Sequence, residues 1–488
     1  MSGAPVGGER ERGALAIVLH THMPYVEGFG TWPFGEEWLW EAIACCYVPL
    51  LELLEEGAPL TLSLTPVLCD QLEVPGLFGR FESFVREVRR ETHAEDVAGL
   101  RAGGYETLAR ELERSWSDYE RALERLRERG GDLLSALGAH AQWTSSATHA
   151  VLPLLASDAG VRAQLRSGVA SHRRRFERPW RGGFWLPECA WAPWLELPLE
   201  RAGVSAVCVE LTDRLGLGAP EHLRPVRGEA GVTLVPIDRA TIELVWSERG
   251  YPASGAYRDY HHHTIHHHNP WNNDGEAYRH ADALALAREH AADFVTRTRA
   301  RLRDAAAAAG APRADGGLVV CALDTELLGH WWYEGIDWLR AVVAECARQG
   351  LELVRLDDAL AREGVVGERG AGGWRALERP CSWGEGGDLS TWSGPAVAEM
   401  AFAARAGELE LLAASPAPGA AALRELLALQ SSDWAFMVSR EIAVPYARER
   451  FAAHRGALER ALREGPDAGT DALRNLAVDA EPAALLAP

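Results

Sequence analysis

Two carboxylates stand directly after short apolar segments, and each has tryptophans beside it. Glu188 follows Pro187 in GGFWLPECAWAPW, and Asp324 ends the apolar run of VVCALDTELLGHWWYEG. A carboxyl group among indole rings is partly desolvated, which raises its pKa or demands a hydrogen-bond partner. Such a pair can cleave a glycosidic bond, because one group protonates the leaving oxygen while the other attacks or stabilises the anomeric carbon. A separation of about 5 Å would indicate retention, and about 6.5 to 9.5 Å inversion.

Histidines supply further candidate groups. His20 and His22 follow an apolar run in LHTHMPY and point to the same side if a strand continues through them, so both a polar loop and a metal pair are open interpretations. No third ligand is evident nearby. After Tyr260 the run HHHTIHHH, residues 261–268, lacks a fixed ligand spacing. We interpret it as a mobile, solvated loop that could bind metal adventitiously, not as a functional metal site.

The composition excludes several classes of function. The printed sequence contains no lysine, so all 50 basic side chains are arginines, against 70 acidic ones and a formal net charge of −20. Schiff-base chemistry and a P-loop lysine are therefore excluded, and the acidic balance argues against nucleic acid or an anionic membrane as partner. The 18 tryptophans outnumber both the 11 phenylalanines and the 10 tyrosines. Flat indole faces suit the apolar faces of sugar rings, which favours a neutral saccharide as substrate.

The cysteines and the N-terminal segment indicate the cellular compartment of the protein. Eight cysteines, including the adjacent Cys45 and Cys46, lack the density of a disulfide scaffold and the paired spacing of a zinc site, so we predict reduced core residues. The first 20 residues contain one short apolar run and no pattern of a cleavable signal, and no stretch approaches 18 apolar residues. These features predict a cytoplasmic protein.

Apolar runs of strand length alternate with segments of helical periodicity. This alternation predicts an α/β fold with a parallel sheet or barrel. Glu188 and Asp324 then lie at the carboxyl ends of strands, where β/α barrels build their active sites. The predicted strands are 14–19, 60–64, 183–186, 206–209, 232–237, 318–323 and 351–354, and the predicted helices are 41–56, 161–176, 281–309 and 335–350.

Other segments interrupt or extend this pattern. Residues 75–131 are rich in Glu and Arg at helical spacing, which predicts a helical insertion that projects from the barrel. Residues 247–275 are polar, aromatic and rich in turn-forming residues. Beyond a glycine- and tryptophan-rich loop, three helical patterns run from Pro395 to about Arg463, and we expect the residues from Gly465 onward to be frayed.

Eight motifs occur together along almost the whole chain. On their combined evidence the chain resembles glycoside hydrolase family 57, in particular its 1,4-α-glucan branching enzymes. The motifs are LHTHMPYV, EEWLWEAI, TSSATHAVLPLL, FWLPECAW, VWSERGYPASGAYRDY, DTELLGHWWYEG, SWGEGGDLSTW and QSSDWAFM.

The resemblance implies a fold and a reaction. The expected fold is an incomplete TIM-like (β/α)7 barrel in residues 10–365, with the helical insertion at about 75–131 and a lid loop at about 247–275. Residues 366–488 are expected to form the Gly/Trp loop and a C-terminal all-α domain that closes over the cleft. The implied reaction is a retaining double displacement on an α-glucan, without metal or cofactor, by a monomer. Glu188 matches the family's nucleophile and Asp324 its acid/base.

The resemblance also implies a set of binding residues. His20, His22 and His149 correspond to histidines of the donor sugar pocket, and Asp433 lies in the C-terminal motif. Tyr251, on a loop bounded by Gly and Pro, matches a lid that shields the glycosyl-enzyme from water. After Tyr260 the chain departs from its relatives, because the histidine run replaces their glycine and aromatic pattern. The aromatic walls expected for the glucan are Trp32, Trp271, Trp332, Trp383, Trp392 and Trp434.

Alternative functions remain open at the level of sequence. An α-amylase or a 4-α-glucanotransferase of the same family would use the same carboxylates and differ in the acceptor. A metal-dependent deacetylase or phosphoesterase could use His20, His22 and Asp324 as ligands on a similar barrel. A non-catalytic glucan-binding protein would keep the tryptophans but lose a carboxylate, and this chain has both.

Overall fold

The structure is a computed structural model that describes residues 13–28, 30, 35–308, 317–367, 377–415, 417–466 and 473–486. Within these residues one sheet contains nine strands. They are Ala14–Thr21 (β1), Thr61–Leu64 (β2), Ala141–Ser145 (β3), Gly183–Trp185 (β4), Ala206–Val209 (β5), Val226–Arg227 (β6), Thr233–Pro236 (β7), Leu318–Asp324 (β8) and Glu352–Leu353 (β9).

The parallel strands follow the order β7-β5-β4-β3-β2-β1-β8, with β6 antiparallel to β7 and β9 paired with β1. The backbone N–H of Asp238, just after β7, donates to the carbonyl oxygen of Val320 in β8 at 2.8 Å. This bond links the two ends of the row of parallel strands. Seven parallel strands curved in this way, with helices between them, form an incomplete (β/α)7 barrel, as predicted.

The central strands are buried on both faces. All eight residues of β1 are buried, which is why the sequence shows a continuous apolar run there instead of an alternation. In the pairing of β1 with β8, His20 lies opposite Asp324. The two motifs that the sequence separates by some 300 residues therefore meet at the carboxyl end of the barrel.

Helices cover the outside of the sheet. The π-helices Ile43–Tyr47 and Phe84–Arg89 continue from α1 and α4. The α-helices of the barrel region are Glu36–Ala42 (α1), Val48–Glu55 (α2), Pro66–Leu72 (α3), Leu77–Ser83 (α4), Arg90–Ala102 (α5), Glu106–Glu128 (α6), Leu133–Gly138 (α7), Asp158–Arg175 (α8), Glu196–Arg201 (α9), Thr212–Leu215 (α10), Arg239–Val245 (α11), His280–Ala308 (α12), Gly335–Gln349 (α13) and Leu356–Leu360 (α14).

The insertion is helical, as predicted, but it does not simply project. One face of α4 and α6, with Phe81, Leu123 and Leu126, is buried in the main hydrophobic core. On the outer face Arg125 of α6 donates to Glu52 of α2 at 2.7 Å. The charged pattern of α6 therefore belongs to its solvated face, while the apolar face packs against the barrel helices.

Among its described residues, the C-terminal region has four longer helices where three were predicted. They are Ala398–Leu412 (α16), Ala420–Leu429 (α17), Ser432–Ser439 (α18) and Val444–Glu464 (α19), preceded by Ser390–Ser393 (α15) and followed by Ala483–Leu486 (α20). The expectation of a frayed end is wrong for residues 473–486, because Leu473, Leu476 and Leu485 are buried in a cluster with α17 and α19. Tyr25 and Val67 of the barrel belong to the same cluster.

Two other sequence expectations concern cysteines and membranes. All eight cysteines are free thiols, and all except Cys45 are buried, in agreement with reduced core residues. Among the described residues, no helix has both the length and the apolar character that crossing a membrane would require.

Candidate active site

Glu188 lies in a tight turn after β4. Its backbone is left-handed, with φ 62° and ψ 21°, and that of Cys189 follows at φ 48°. A non-glycine residue in this region costs on the order of 1–3 kcal/mol and is typically retained at functional sites. The turn directs a side chain that is only 9% exposed against residues of the C-terminal half of the chain.

Two donors bind the Glu188 carboxylate. The indole Nε1 of Trp383 donates to Oε2 at 2.9 Å, and the hydroxyl of Ser432 donates to Oε1 at 2.8 Å. The backbone N–H of Trp383 also donates to the Glu188 carbonyl at 3.0 Å. Burial raises the pKa of Glu188 above 4.5, while the hydrogen bonds from Trp383 and Ser432 oppose that rise by favouring the ionised form.

Asp324 is placed differently, at the end of β8 with a solvent-accessible side chain. Although part of this side chain reaches solvent, desolvation by the surrounding protein, followed by the negative charges of Glu326 and Glu188, raises the pKa of Asp324 well above 3.8. Two hydrogen-bond donors thus stabilise the charge of Glu188 against burial and the like charge of Asp433, whereas at Asp324 only the charge of His22 opposes desolvation and two like charges. Environments that favour the charged form of one carboxyl group and the protonated form of the other suit a nucleophile paired with a general acid.

Glu326, two residues beyond Asp324, is a part of the site that the sequence reasoning did not select. Its Oε1 accepts from the Tyr47 hydroxyl at 2.7 Å and from the backbone N–H of His22 at 3.1 Å. Burial raises the pKa of Glu326 to about 7. Its position in the DTE motif was the available signal, and its effect on Asp324 makes it part of the catalytic electrostatics.

The three predicted histidines form a stack beside Glu188. His22 and His149 lie face to face with ring centroids 3.9 Å apart, and His20 stacks on Trp185 at 4.5 Å. His20 Nε2 lies 2.8 Å from His149 Nε2, and His149 Nδ1 lies 2.8 Å from the Ser432 hydroxyl. Because Ser432 donates to Glu188, it must accept from His149, so the network assigns the proton of His149 to Nδ1. His20 then donates to His149, and the hydrogen bonds run in one direction to Glu188.

Charge differs among these histidines. Burial lowers the pKa of His20 and His149 well below 6.5, so both stay neutral at physiological pH. For His22, burial also disfavours the charge, but the carboxylates of Asp433, Glu326 and Glu188 outweigh it and raise its pKa. Asp433 Oδ1 lies 2.9 Å from His22 Nε2. The protonated, positively charged form of His22 is therefore favoured, because the ring lies among these carboxylates.

The structure brings together a different candidate metal set, which includes His22 but not His20. In the described part of the chain, His22, His149 and Asp433 have potential ligand atoms within 4.8 Å of one another. Their geometry does not fit a metal ion, however. An ion bound by two imidazoles lies near the plane of each ring, and the rings of His22 and His149 are stacked at 3.9 Å with an interplanar angle of 19°. Near-parallel planes at this separation do not converge on one ion.

The predicted aromatic walls fall into separate groups. Trp383 contacts Glu188, and Trp271 stacks on His262 with centroids 3.9 Å apart. Trp332 and Trp434 are 1% exposed and belong to hydrophobic clusters, and Trp392 is buried against Val151 and Ala190. In this conformation packing covers most of these three side chains, and Trp392 and Trp434 also line a cavity of about 200 Å³. Their contact with a glucan stays a prediction. Trp32 lies outside the described residues.

Tyr251, the predicted lid residue, is docked on the outer helices. Its hydroxyl donates to Asp293 of α12 at 2.8 Å, and its ring stacks on His290 at 4.5 Å. It is buried in the main hydrophobic core. The contacts that hold Tyr251 here are thus with α12 rather than with the carboxylate pair, and its role as a lid stays a prediction that requires the loop to move.

The histidine run is largely exposed, as expected of a solvated loop, but its second half is held by specific contacts. His266 Nδ1 and His268 Nδ1 lie 2.8 and 2.7 Å from the carboxylate of Asp96 in α5. The hydroxyl of Thr264 donates to the same carboxylate. Part of the run is therefore fastened to the helical insertion, and His268 is buried.

Comparisons with known proteins give consistent results. The family described as Glycosyl hydrolase family 57 matches residues 138–368, and the family described as 1,4-alpha-glucan branching enzyme, C-terminal, matches residues 418–477. The chain is 34% identical to a probable 1,4-alpha-glucan branching enzyme of Mycobacterium tuberculosis, over 91% of this chain and 90% of that protein. It is 32% identical to a 1,4-alpha-glucan branching enzyme of Thermococcus kodakarensis, over 91% and 72%. A crystal structure of a GH57-type branching enzyme from Pyrococcus horikoshii superposes with a TM-score of 0.83 at 30% identity, over 92% and 89% of the two chains.

Proposed function

The chain belongs to glycoside hydrolase family 57, and from this premise we propose that it is a 1,4-α-glucan branching enzyme in which Glu188 is the nucleophile and Asp324 the acid/base. The observation that carries the assignment of roles is the contrast between the two carboxyl groups. Glu188 accepts hydrogen bonds from Trp383 and Ser432, whereas Asp324 faces the charges of Glu326 and Glu188.

The reaction has two displacements. Glu188 attacks the anomeric carbon of an α-1,4-linked glucosyl unit while Asp324 gives its proton to the departing 4-oxygen, which leaves a glycosyl ester on Glu188. A 6-hydroxyl of a second glucan then attacks the same carbon, Asp324 accepts its proton, and Glu188 leaves as a carboxylate. Two inversions at one carbon give a retained α-1,6 branch.

The C-terminal region supports transfer over plain hydrolysis. The segment matched by the branching-enzyme C-terminal family, residues 418–477, contains Ser432 and Asp433. Ser432 binds the nucleophile and Asp433 binds His22. An α-amylase or a 4-α-glucanotransferase would use the same carboxylates, so the acceptor decides between them. The metal-dependent alternative, with His20, His22 and Asp324 as ligands, loses support because the rings of His20 and His22 are near-parallel at 14° and Nε2 of His22 already lies 2.9 Å from Asp433. A cytoplasmic location and a monomeric state stay predictions from the sequence.

The test is to incubate purified protein with amylose and to count α-1,6 linkages and new reducing ends, with iodine staining as a parallel readout. We expect branch points to accumulate faster than reducing ends. Reducing ends without branch points would show that the protein is a hydrolase. We expect Glu188→Gln to abolish turnover while amylose still binds, because the amide cannot form the glycosyl ester. Activity close to that of the wild type would remove Glu188 from its role.

A further inference from the structure

A cavity of about 370 Å³ lies between the helical insertion, the histidine run and the loop that follows Asp324. This size is within the range of small-molecule sites. Neither Glu188 nor Asp324 lines it, so it is separate from the site described above. Its aromatic wall consists of Trp38, Tyr119, Tyr260, Trp331 and Tyr333.

The cavity shares two structural elements with the acid/base. Gly329 and Trp331, on its wall, belong to the same loop as Asp324 and Glu326. The π-helix Ile43–Tyr47 contributes Cys45 to the wall, and its last residue, Tyr47, donates to Glu326. The loop and this helix pack closely, because a Cβ at Gly329 would lie 2.0 Å from the carbonyl oxygen of Cys45. The cavity is thus built on the acid/base side of the catalytic centre, whereas Trp383 and Ser432 hold the nucleophile.

The lining suits a neutral ring with many hydroxyl groups. Trp331 is 38% exposed and lies against Tyr260 with ring centroids 4.4 Å apart. The carboxylate of Glu41 is fixed by Arg89 and by the Tyr119 hydroxyl, both at 2.6 Å, and Arg89 also pairs with Glu37 at 3.1 Å. Flat apolar rings beside fixed polar groups bind the faces and edges of a sugar. Because these charged side chains neutralise one another, the cavity does not favour a charged ligand.

The histidine run forms a second wall. His263, His267, His268 and Asn269 line the cavity. This wall is anchored by Asp96 of α5, which accepts from His266, His268 and Thr264 at the base of the run. A buried, multiply bonded anchor gives the wall a defined position, as a binding site requires.

We propose that this cavity binds the acceptor α-glucan, so that the histidine run and Trp331 select the chain that receives the branch. The proposal rests on the proposed branching function, because only a transferase needs an acceptor site. The acceptor's 6-hydroxyl must approach from the side of Asp324, which takes its proton, and the cavity is built on that side.

The experiment compares branching with hydrolysis in one reaction, with amylose as donor and added maltooligosaccharide as acceptor. Trp331→Ala removes the exposed ring. We expect it to lower the ratio of α-1,6 linkages to new reducing ends by up to about tenfold, in line with the loss of one aromatic contact. Trp331→Phe keeps a ring and is expected to recover most of the ratio. Trp246→Ala is the matched control, because Trp246 is 49% exposed and does not line the cavity.

Equal losses of branching and hydrolysis in Trp331→Ala would overturn the proposal, because they indicate a donor site or a general structural effect. An unchanged ratio would overturn it as well. Asp96→Asn provides an independent variant, since loosening the histidine wall should change the lengths of acceptor chains used without reducing hydrolysis. If the wild type forms no branches, the branching function itself fails. Calorimetry with maltooligosaccharide then tests the cavity, and equal binding by the wild type and Trp331→Ala would reject it as a glucan site.

Discussion

Replacing Ser432 by alanine removes one of the two donors to the nucleophile. The Ser432 hydroxyl lies 2.8 Å from Glu188 Oε1 and 2.8 Å from His149 Nδ1, and all three residues are buried. Alanine is a good helix former, so α18 should keep its backbone. The expected change is therefore confined to the hydrogen bonds.

The size of the effect follows from the charge on the acceptor. A hydrogen bond to a charged group contributes about 1.5–3 kcal/mol, and each 1.36 kcal/mol is tenfold in rate, so kcat/KM should fall roughly 10- to 150-fold near the acid limb. Burial already raises the pKa of Glu188, and Ser432 opposes that rise. Loss of the donor raises the pKa further. Because Glu188 reacts as the ionised form, the acid limb of the profile should move to higher pH, and activity should recover as the pH rises.

The assay is the pH dependence of kcat/KM on amylose, which reports ionisations of the free enzyme. The matched control is Ser439→Ala, in the same helix, whose hydroxyl donates to the Ala435 carbonyl at 2.9 Å and not to the nucleophile. We expect the control to keep the wild-type profile. An acid limb of Ser432→Ala that coincides with the wild type, or moves to lower pH, would refute the role of this hydrogen bond.

Two further predictions concern the loop after β8. Glu326→Gln removes a charge that raises the pKa of Asp324, so the basic limb of the kcat/KM profile should move to lower pH; an unmoved limb would show that Asp324 does not sense this charge. Gly329→Ala should lower the free energy of unfolding in urea by at least about 2 kcal/mol, because φ is 104° and the new Cβ meets the Cys45 carbonyl. Gly104→Ala, at φ 81° with open space, should cost only about 1 kcal/mol, and an equal cost for both would contradict the packing argument.

The barrel could be predicted where strands are buried on both faces. Such strands, β1 and β8 above all, appear as continuous apolar runs. They can be recognised in the sequence without knowing which strands they pair with. The strand β3 was missed because its sequence, AQWTS, is largely polar. Its buried Ser145 and Thr144 are satisfied by the carbonyl oxygens of Trp185 and Gly168, and those partners exist only in the fold.

The residues of the candidate site also divide into those with a local sequence signal and those defined only by contacts in the fold. Glu188 and Asp324 could be selected because each follows a strand, and a local signal is enough for that. Ser432 could not, since its function depends on a contact across 244 positions of the chain. The anchoring of the histidine run could not be predicted for the same reason, because its partner, Asp96, lies in the insertion. Tryptophans such as Trp332 look alike in sequence whether they pack in a core or face a cleft.

The division predicted at residue 365 separates the nucleophile from the groups that support its charge. Glu188 belongs to the first part, whereas Trp383 and Ser432, the donors to its two oxygens, belong to the second. Asp433, which binds His22, comes from the second part as well. Without those donors burial would weigh more heavily on Glu188, and burial favours the protonated, non-nucleophilic form. The C-terminal region is therefore as much a part of the proposed catalytic centre as the barrel, and we expect the ionisation of Glu188 to depend on the docking of the two parts.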